Sequence, residues 1–304
     1  MLIPKYLKAQ DYIPFLNRKR AWLIFFFVFF IVWMSVFYIG FFVFILLGIL
    51  LFSDWVGLFI GLAFLSMALA ALSSVAFILC IARYKRYFFS CLLPFLAHRY
   101  YEDFEWDYNK FIPKKTIAKQ AVFTKYKEFS PGCYYKGKIM SIPFESSYYE
   151  YVGLKKWIST KKGRIILFRL PIEQNDSFLL EDKDTKVLFK KNHLTEVKTE
   201  SIAFNKEYRI FTSDDMEIFK QLTPNFIKKT NEFTDQYRCD LNLFFHKNYI
   251  YAAVNDYQNR FEFKLLRHVD AVYIDQFMDE VLMVYRLSDV LDIGKYATGI
   301  NQKD

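Results

Sequence analysis

Three groups of side chains in this 304-residue chain have types and spacings that could do chemistry. His98 and Glu102 stand four apart, the spacing that sets two metal ligands on one helix face. Two ligands do not make a site, and His193, His246 and His268 are isolated in the sequence, so no metal is expected. Cys133, beside Gly132, carries the thiol of a nucleophile but has no neighbouring base to ionise it, and a free structural thiol is the expectation. Asp214, Asp215 and Glu217 are the densest carboxylate group. They follow Thr212-Ser213, and acid in a first helical turn behind a capping hydroxyl is explained by helix electrostatics alone. No dinucleotide fingerprint, P-loop, HExxH, GxSxG or kinase signature occurs, and the chain's ten glycines leave little material for phosphate-cradling loops. The reading is of a non-enzymatic chain with no cofactor; a membrane-anchored enzyme whose site is assembled from distant residues stays open as an alternative.

The elements that would have to position any such group are dominated by one block. The chain is 54% hydrophobic, yet its mean hydropathy is only +0.08, so the apolar residues are concentrated. Between Ala21 and Ala82 stands a single formal charge, Asp54. A bilayer core of roughly 30 Å needs about 20 apolar residues per helix, and the block is long enough for two spans with a short loop but not for three. The expected architecture is an α-helical transmembrane hairpin, with helices at about 22–51 and 55–81 and a turn at Ser53-Asp54. Basic residues flank it on both sides, Arg18, Lys19 and Arg20 before and Arg83, Lys85 and Arg86 after, and none stands in the loop. Positive charge retained on the inner side predicts a multi-pass membrane protein with both termini in the cytoplasm. Those six side chains are the expected lipid-headgroup flank. In the second span Gly57, Gly61, Ser66, Ala70 and Ser74 place small residues along one face, which lets helix backbones approach closely in lipid. The face serves either packing inside the hairpin or contact with a partner helix in a homo-oligomer. The four cysteines include no CxxC, and free thiols in a reducing cytoplasm are expected.

Beyond residue 82 remain 36 of the 41 Lys and Arg and 30 of the 32 Asp and Glu, interspersed and without a basic-aromatic pattern. Nucleic acid is therefore not an expected partner. The organisation reads as a basic N-terminal segment (1–20), the hairpin (21–82), a juxtamembrane helical connector (83–130), a cytoplasmic domain (131–292) and a tail (293–304). The domain reads as α+β with mostly antiparallel strands and a C-terminal amphipathic helix. Strands are expected at 134–142, 150–158, 164–170, 178–180, 186–189 and 207–211, with Lys161-Lys162-Gly163 as a hairpin turn. A helix should begin behind Thr212-Ser213. A second should begin at Thr223-Pro224, with hydroxyl at the cap and proline in the first turn, and run to about Phe233. Leu241–Phe245 and Tyr249–Val254 form a hairpin about His246-Lys247-Asn248, and Phe261 and Phe263 mark a last strand. Ile274, Phe277, Met278, Val281, Leu282 and Tyr285 then make one face of the final helix.

The stretch Phe204-Asn205-Lys206-Glu207-Tyr208-Arg209-Ile210-Phe211-Thr212-Ser213-Asp214-Asp215, with Leu222-Thr223-Pro224-Asn225-Phe226 behind it, resembles the most characteristic region of a family of bacterial two-span membrane proteins catalogued only as a domain of unknown function. The likeness is close over residues 204–254 and extends loosely over 20–292. The resemblance implies a cytoplasmic domain held at a bacterial cytoplasmic (inner) membrane and carries over no reaction and no catalytic residue. A protein that acts by binding another protein is the leading expectation; a lipid-surface module is the second.

Overall fold

The apolar block folds as two helices, α1 (Ala9–Leu50) and α2 (Val56–Ala97), each 42 residues long in the computed structural model. The structure describes residues 9–50, 56–107, 110–112, 134–151, 161–174, 176–184, 189, 191, 193–214, 218, 221–255 and 267–298. Both helices outrun the expected spans. Pro94 lies inside α2 rather than ending it, being close enough to the C-terminus that little of the helix remains to be disrupted. The two helices are antiparallel neighbours: Phe77 stacks on Phe27 and Phe30, with ring centroids 5.2 and 5.0 Å away, and the Ser73 hydroxyl meets the Met34 sulfur at 3.7 Å.

The chain divides into two compact units, Met1–Leu92 with Phe263–Ile274, and Leu93–Glu262 with Asp275–Asp304. The second contains a nine-stranded antiparallel sheet: β1 (Glu102–Asp107), β2 (Tyr134–Ile139), β3 (Ile142–Tyr151), β4 (Lys161–Arg169), β5 (Phe178–Asp182), β6 (Thr195–Val197), β7 (Tyr208–Thr212), β8 (Asp240–His246) and β9 (Tyr249–Asn255). Its order is β1-β2-β3-β4-β9-β8-β5-β7-β6. The further helices with described bounds are α3 (Ile202–Glu207), α4 (Pro224–Tyr237), α5 (Ala271–Val290), which starts in the first unit and continues into the second, and α6 (Gly294–Thr298).

Register shows why the central strands read as nearly continuous apolar runs. On β4, Ile165 and Leu167 share a face with Tyr251, Ala253, Phe244, Leu179 and Phe211, and all belong to one buried cluster. The alternate residues Arg164, Ile166 and Phe168 pair with Val254, Ala252 and Ile250 on the opposite face, and these too are buried. A sheet covered on both sides has no solvent face to mark with polar residues.

Several expectations need correction. Lys161-Lys162-Gly163 is not a turn: it opens β4, with Lys162 opposite Glu150 and Gly163 opposite Tyr149. The strand expected at 134–142 is in turn divided by a hairpin turn at Met140-Ser141, where both residues take positive φ (49° and 66°) and join β2 to β3. A two-residue turn of that conformation ordinarily uses Asn or Gly, so the sequence carries no signal for it. Within the expected helical connector, residues 102–107 form the edge strand β1. The strand expected at 207–211 runs from Tyr208 to Thr212, and Glu207 instead ends α3, a helix the sequence did not announce, capped by the Ser201 hydroxyl accepting from the Phe204 N–H. The face of α5 is also broader than expected: Tyr273, Glu280, Val284, Leu287 and Ser288 are buried with Phe277 and Val281, whereas Tyr285 is exposed. The Thr223-Pro224 start stands as expected, with Thr223 Oγ1 accepting from the Phe226 N–H at 3.2 Å, although α4 continues to Tyr237. The turn expected at Ser53-Asp54, most of the strand at 150–158, the strand about Phe261 and Phe263, most of that at 186–189 and most of the helix behind Ser213 lie outside the described residues.

Candidate functional site

The six flanking basic residues lie on the two long helices, and tyrosines on α2 bring their helical turns together. The Tyr84 hydroxyl donates to the Leu16 carbonyl at 3.0 Å in a buried bond that crosses from α2 to α1. One turn on, the Lys19 ammonium lies 4.5 Å from the Tyr87 ring centroid and 5.1 Å from that of Phe15. Arg18, Lys19, Arg83 and Arg86 are exposed, and Arg20 and Lys85 are half-buried. Asn17 anchors a further segment of the same unit. Its amide accepts from the Val269 N–H at 3.0 Å and donates to the Val269 carbonyl at 2.7 Å, as a neighbouring strand would. Arg267, from that segment, lies over the Tyr273 ring at 4.9 Å and adds another cation. Neither Asn17 nor the tyrosines carried a sequence signal, because each acts through a partner distant in the chain.

Beside Lys19 opens a groove of about 580 Å³ between α1 and α2. Its α1 wall is aromatic, with Trp22, Phe26 and Trp33 prominent; its α2 wall has the short side chains Ser73, Ala76 and Cys80 around Phe77. Both sets repeat at helical spacing, so each wall is one face of a helix. Among the described residues Lys19 is the one Lys or Arg lining the groove.

The small-residue face of α2 divides. Ser66 and Ala70 are buried, and with Phe37 and Phe41 of α1 they line a small cavity between the helices. The Ser74 hydroxyl is bonded within its own helix to the Ala70 carbonyl at 2.8 Å. Gly57 and Gly61 are exposed, and a Cβ added at either would meet nothing within 4 Å.

In the sheet unit the polar chemistry lies where the sequence offered no motif. Arg164, 2% exposed, donates from Nε to Glu280 Oε1 at 2.5 Å and from Nη1 to Ser146 Oγ at 3.0 Å, and its guanidinium lies 5.0 Å from the Tyr135 ring centroid. The Tyr101 hydroxyl donates to the Val281 carbonyl and accepts from the Tyr285 N–H, and burial holds its proton well above the ordinary phenol range. These bonds tie β2, β3 and β4 to α5. A second contact pairs Ser177 Oγ with His246 Nδ1 at 2.8 Å. It has the composition of a nucleophile and base, and burial, with Lys247 nearby, lowers the His246 pKa and favours the neutral ring. The same Ser177 donates its backbone N–H to Ser213 Oγ and accepts the Ser213 N–H at its carbonyl, so it also joins β5 to the end of β7.

The residues that opened the sequence reading are not gathered. His98 follows the end of α2 and Glu102 starts β1, so they share no helix face. Among the described residues no group of three or more His, Cys, Asp or Glu could hold a metal. Cys133, Asp215 and Glu217 lie outside the described residues. Asp214 donates its backbone N–H to Thr212 Oγ1 at 3.1 Å, a local turn.

Residues 159–293 match the model of a protein family of unknown function, DUF3137. The matching segment runs from just before β4 to just past α5, and it contains residues 204–254, where the resemblance read from the sequence was closest. It includes Arg164 and Glu280, Ser177 and His246; the long helices precede it. No curated protein sequence matches the chain. Among solved structures, the chain is similar to the mycobacterial trehalose monomycolate transport factor A at 11% identity and a TM-score of 0.36, over 59% of this chain and 86% of that one. A likeness at that level carries no argument about this chain.

Proposed function

We propose that this is an integral protein of the cytoplasmic membrane, in which α1 and α2 form the bilayer hairpin and hold the sheet domain at the cytoplasmic surface to bind another protein. The observation that carries the anchoring is the surface of α1. No part of its most apolar window is buried within the protein, and Phe25, Phe26, Phe29, Trp33, Phe42 and Leu46 are all exposed. Leaving a Leu or Phe side chain in water forgoes about 1.5–3 kcal/mol each, which a row of this length could not sustain in an aqueous fold. Lipid resolves the conflict, and the basic helical turns around Lys19 and Tyr87 then belong at the inner headgroup layer. The binding role is supported by the use to which the sheet unit puts its polar groups. Arg164, Glu280, Ser146 and Tyr101 are bonded to one another or to backbone, as a presenting scaffold requires.

Topology reporters fused after residue 54 and after residue 90 test the anchoring. The first should read outside the cytoplasm and the second inside, and the reverse result would overturn the orientation. For the binding role, in-cell cross-linking at native expression should recover one stoichiometric protein with the full chain. Recovery of none would remove that role while leaving the anchor.

A further inference from the structure

Resting on the reading of α1 and α2 as a bilayer hairpin, we infer that the groove beside Lys19 is a binding site for one anionic glycerophospholipid of the inner leaflet. An acyl chain lies between the helices, and the phosphate sits against the Lys19 ammonium. Three observations point to that occupant.

The first is the distribution of polarity. The walls are aromatic and aliphatic along their length, and the one ammonium among their described residues stands at one end, as the amphipathic outline of a lipid demands. The second is length. Lys19 and Trp33 are 14 residues apart on α1, about 21 Å at 1.5 Å per residue. Half of a hydrocarbon core of roughly 30 Å is about 15 Å, so the groove reaches from the headgroup layer through one leaflet. Its volume of about 580 Å³ falls within the roughly 300–1,000 Å³ of small-ligand sites. The short side chains of Ser73, Ala76 and Cys80 opposite Trp22 and Trp33 are what leave this space open.

The third is charge. Lys19 makes no ion pair among the described residues; its ammonium is held over the Phe15 and Tyr87 rings, which fix its position without neutralising it. A cation positioned in this way at the mouth of an apolar groove is matched by a lipid phosphate and an added negative headgroup charge. One cation near the surface is worth about 1 kcal/mol toward anionic lipid, which is about a fivefold preference over a zwitterionic lipid with the same chains.

Trp22 and Trp33 line the groove and are also exposed on the surface of α1, so a lipid held in the groove shows as quenching beyond that by bulk lipid. The full chain is reconstituted in bilayers of fixed phosphatidylglycerol to phosphatidylcholine ratio, with brominated chains carried by one lipid or the other. The signal of the Trp22→Phe/Trp33→Phe variant is subtracted to remove the other tryptophans. Brominated phosphatidylglycerol should quench the difference signal with about fivefold higher relative affinity than brominated phosphatidylcholine. Lys19→Gln should bring the two to parity. Ala76→Phe, which fills the groove and leaves every charge in place, should lower quenching by both lipids and abolish the preference. Equal quenching in the unmodified protein, or a preference that survives Lys19→Gln, overturns the site and leaves the membrane hairpin intact. Protection from both lipids, with a Cys80–Cys80 cross-link, overturns it in favour of a second copy of the chain. Absence of quenching by either lipid, with no such cross-link, removes the hairpin reading itself.

Discussion

Replacing Arg164 by Met should unfold the sheet unit at a much lower temperature, and replacing its partner at the same time should restore most of the loss. Arg164 and Glu280 are only 2% and 5% exposed, and their contact is direct at 2.5 Å. Arg164→Met removes the charge but leaves the Glu280 carboxylate of α5 in the interior facing β4, where an uncompensated buried charge costs about 3–5 kcal/mol. The Ser146 hydroxyl loses its donor, and the Tyr135 ring loses its cation, in the same step. For a unit of 150–250 residues each kcal/mol lowers Tm by about 2–4 °C, so the fall should be roughly 6–20 °C. Arg164→Met/Glu280→Leu leaves no charge behind and fills similar volume, and buried pairs replaced in this way are often as stable as the original. Thermal unfolding of the full chain in detergent, followed by near-ultraviolet circular dichroism of the buried tyrosines, reads both variants and closes a double-mutant cycle. A single variant that melts within about 2 °C of the unmodified protein, or a double variant as unstable as the single, would refute the account of this pair.

Three further outcomes follow from the same structure. Thr223→Ala removes the hydroxyl that accepts the Phe226 N–H and should cost about 1 kcal/mol in urea unfolding, whereas Thr223→Ser should cost much less. Gly137→Ala sets a Cβ 3.1 Å from the Glu102 carbonyl oxygen and 3.2 Å from the Phe144 ring, so it should destabilise by about 1–3 kcal/mol and speed amide exchange in β1 first. His246 has a pKa held below its ordinary value of 6.5, mainly by burial, so between the two values the unfolded chain binds more protons than the folded one. Stability should therefore be full above about pH 6.5, fall as the pH drops below it and level off below the folded-state pKa. His246→Gln should flatten that part of the profile, and an unchanged profile would show that this group is not its source.

Much of the architecture was legible because its causes are local. The block from Ala21 to Ala82 needs no partner to declare two long apolar helices; its composition alone does so. The Thr223-Pro224 start and the β8–β9 hairpin are written in a few neighbouring residues. The misreadings share an opposite cause. Met140 and Ser141 take a left-handed turn because β2 and β3 pair on either side of them, and not from any preference of their own. Lys161 and Lys162 extend as a strand because β3 lies beside them, overriding the turn tendency of Lys-Lys-Gly. The sheet's two-sided burial hid the alternation that would have separated its faces.

The candidate site divides along the same line. Arg18, Lys19 and Arg20 before the apolar block, and Arg83, Lys85 and Arg86 after it, were evident as flanks because charge position along the chain is a one-dimensional property. Which of them faces a groove was decided by tertiary structure, through the Tyr84–Leu16 bond and the rings beneath Lys19. The small-residue stripe was visible at helical spacing, yet only the pairing of α1 with α2 separated the buried Ser66 and Ala70 from the open Gly57 and Gly61. Arg164 and Glu280 are 116 residues apart, and no local pattern could have joined them. Composition and charge order act on each segment by itself and are determined by sequence alone; ion pairs, grooves and the burial of one face depend on which segments meet, and only the fold decides that.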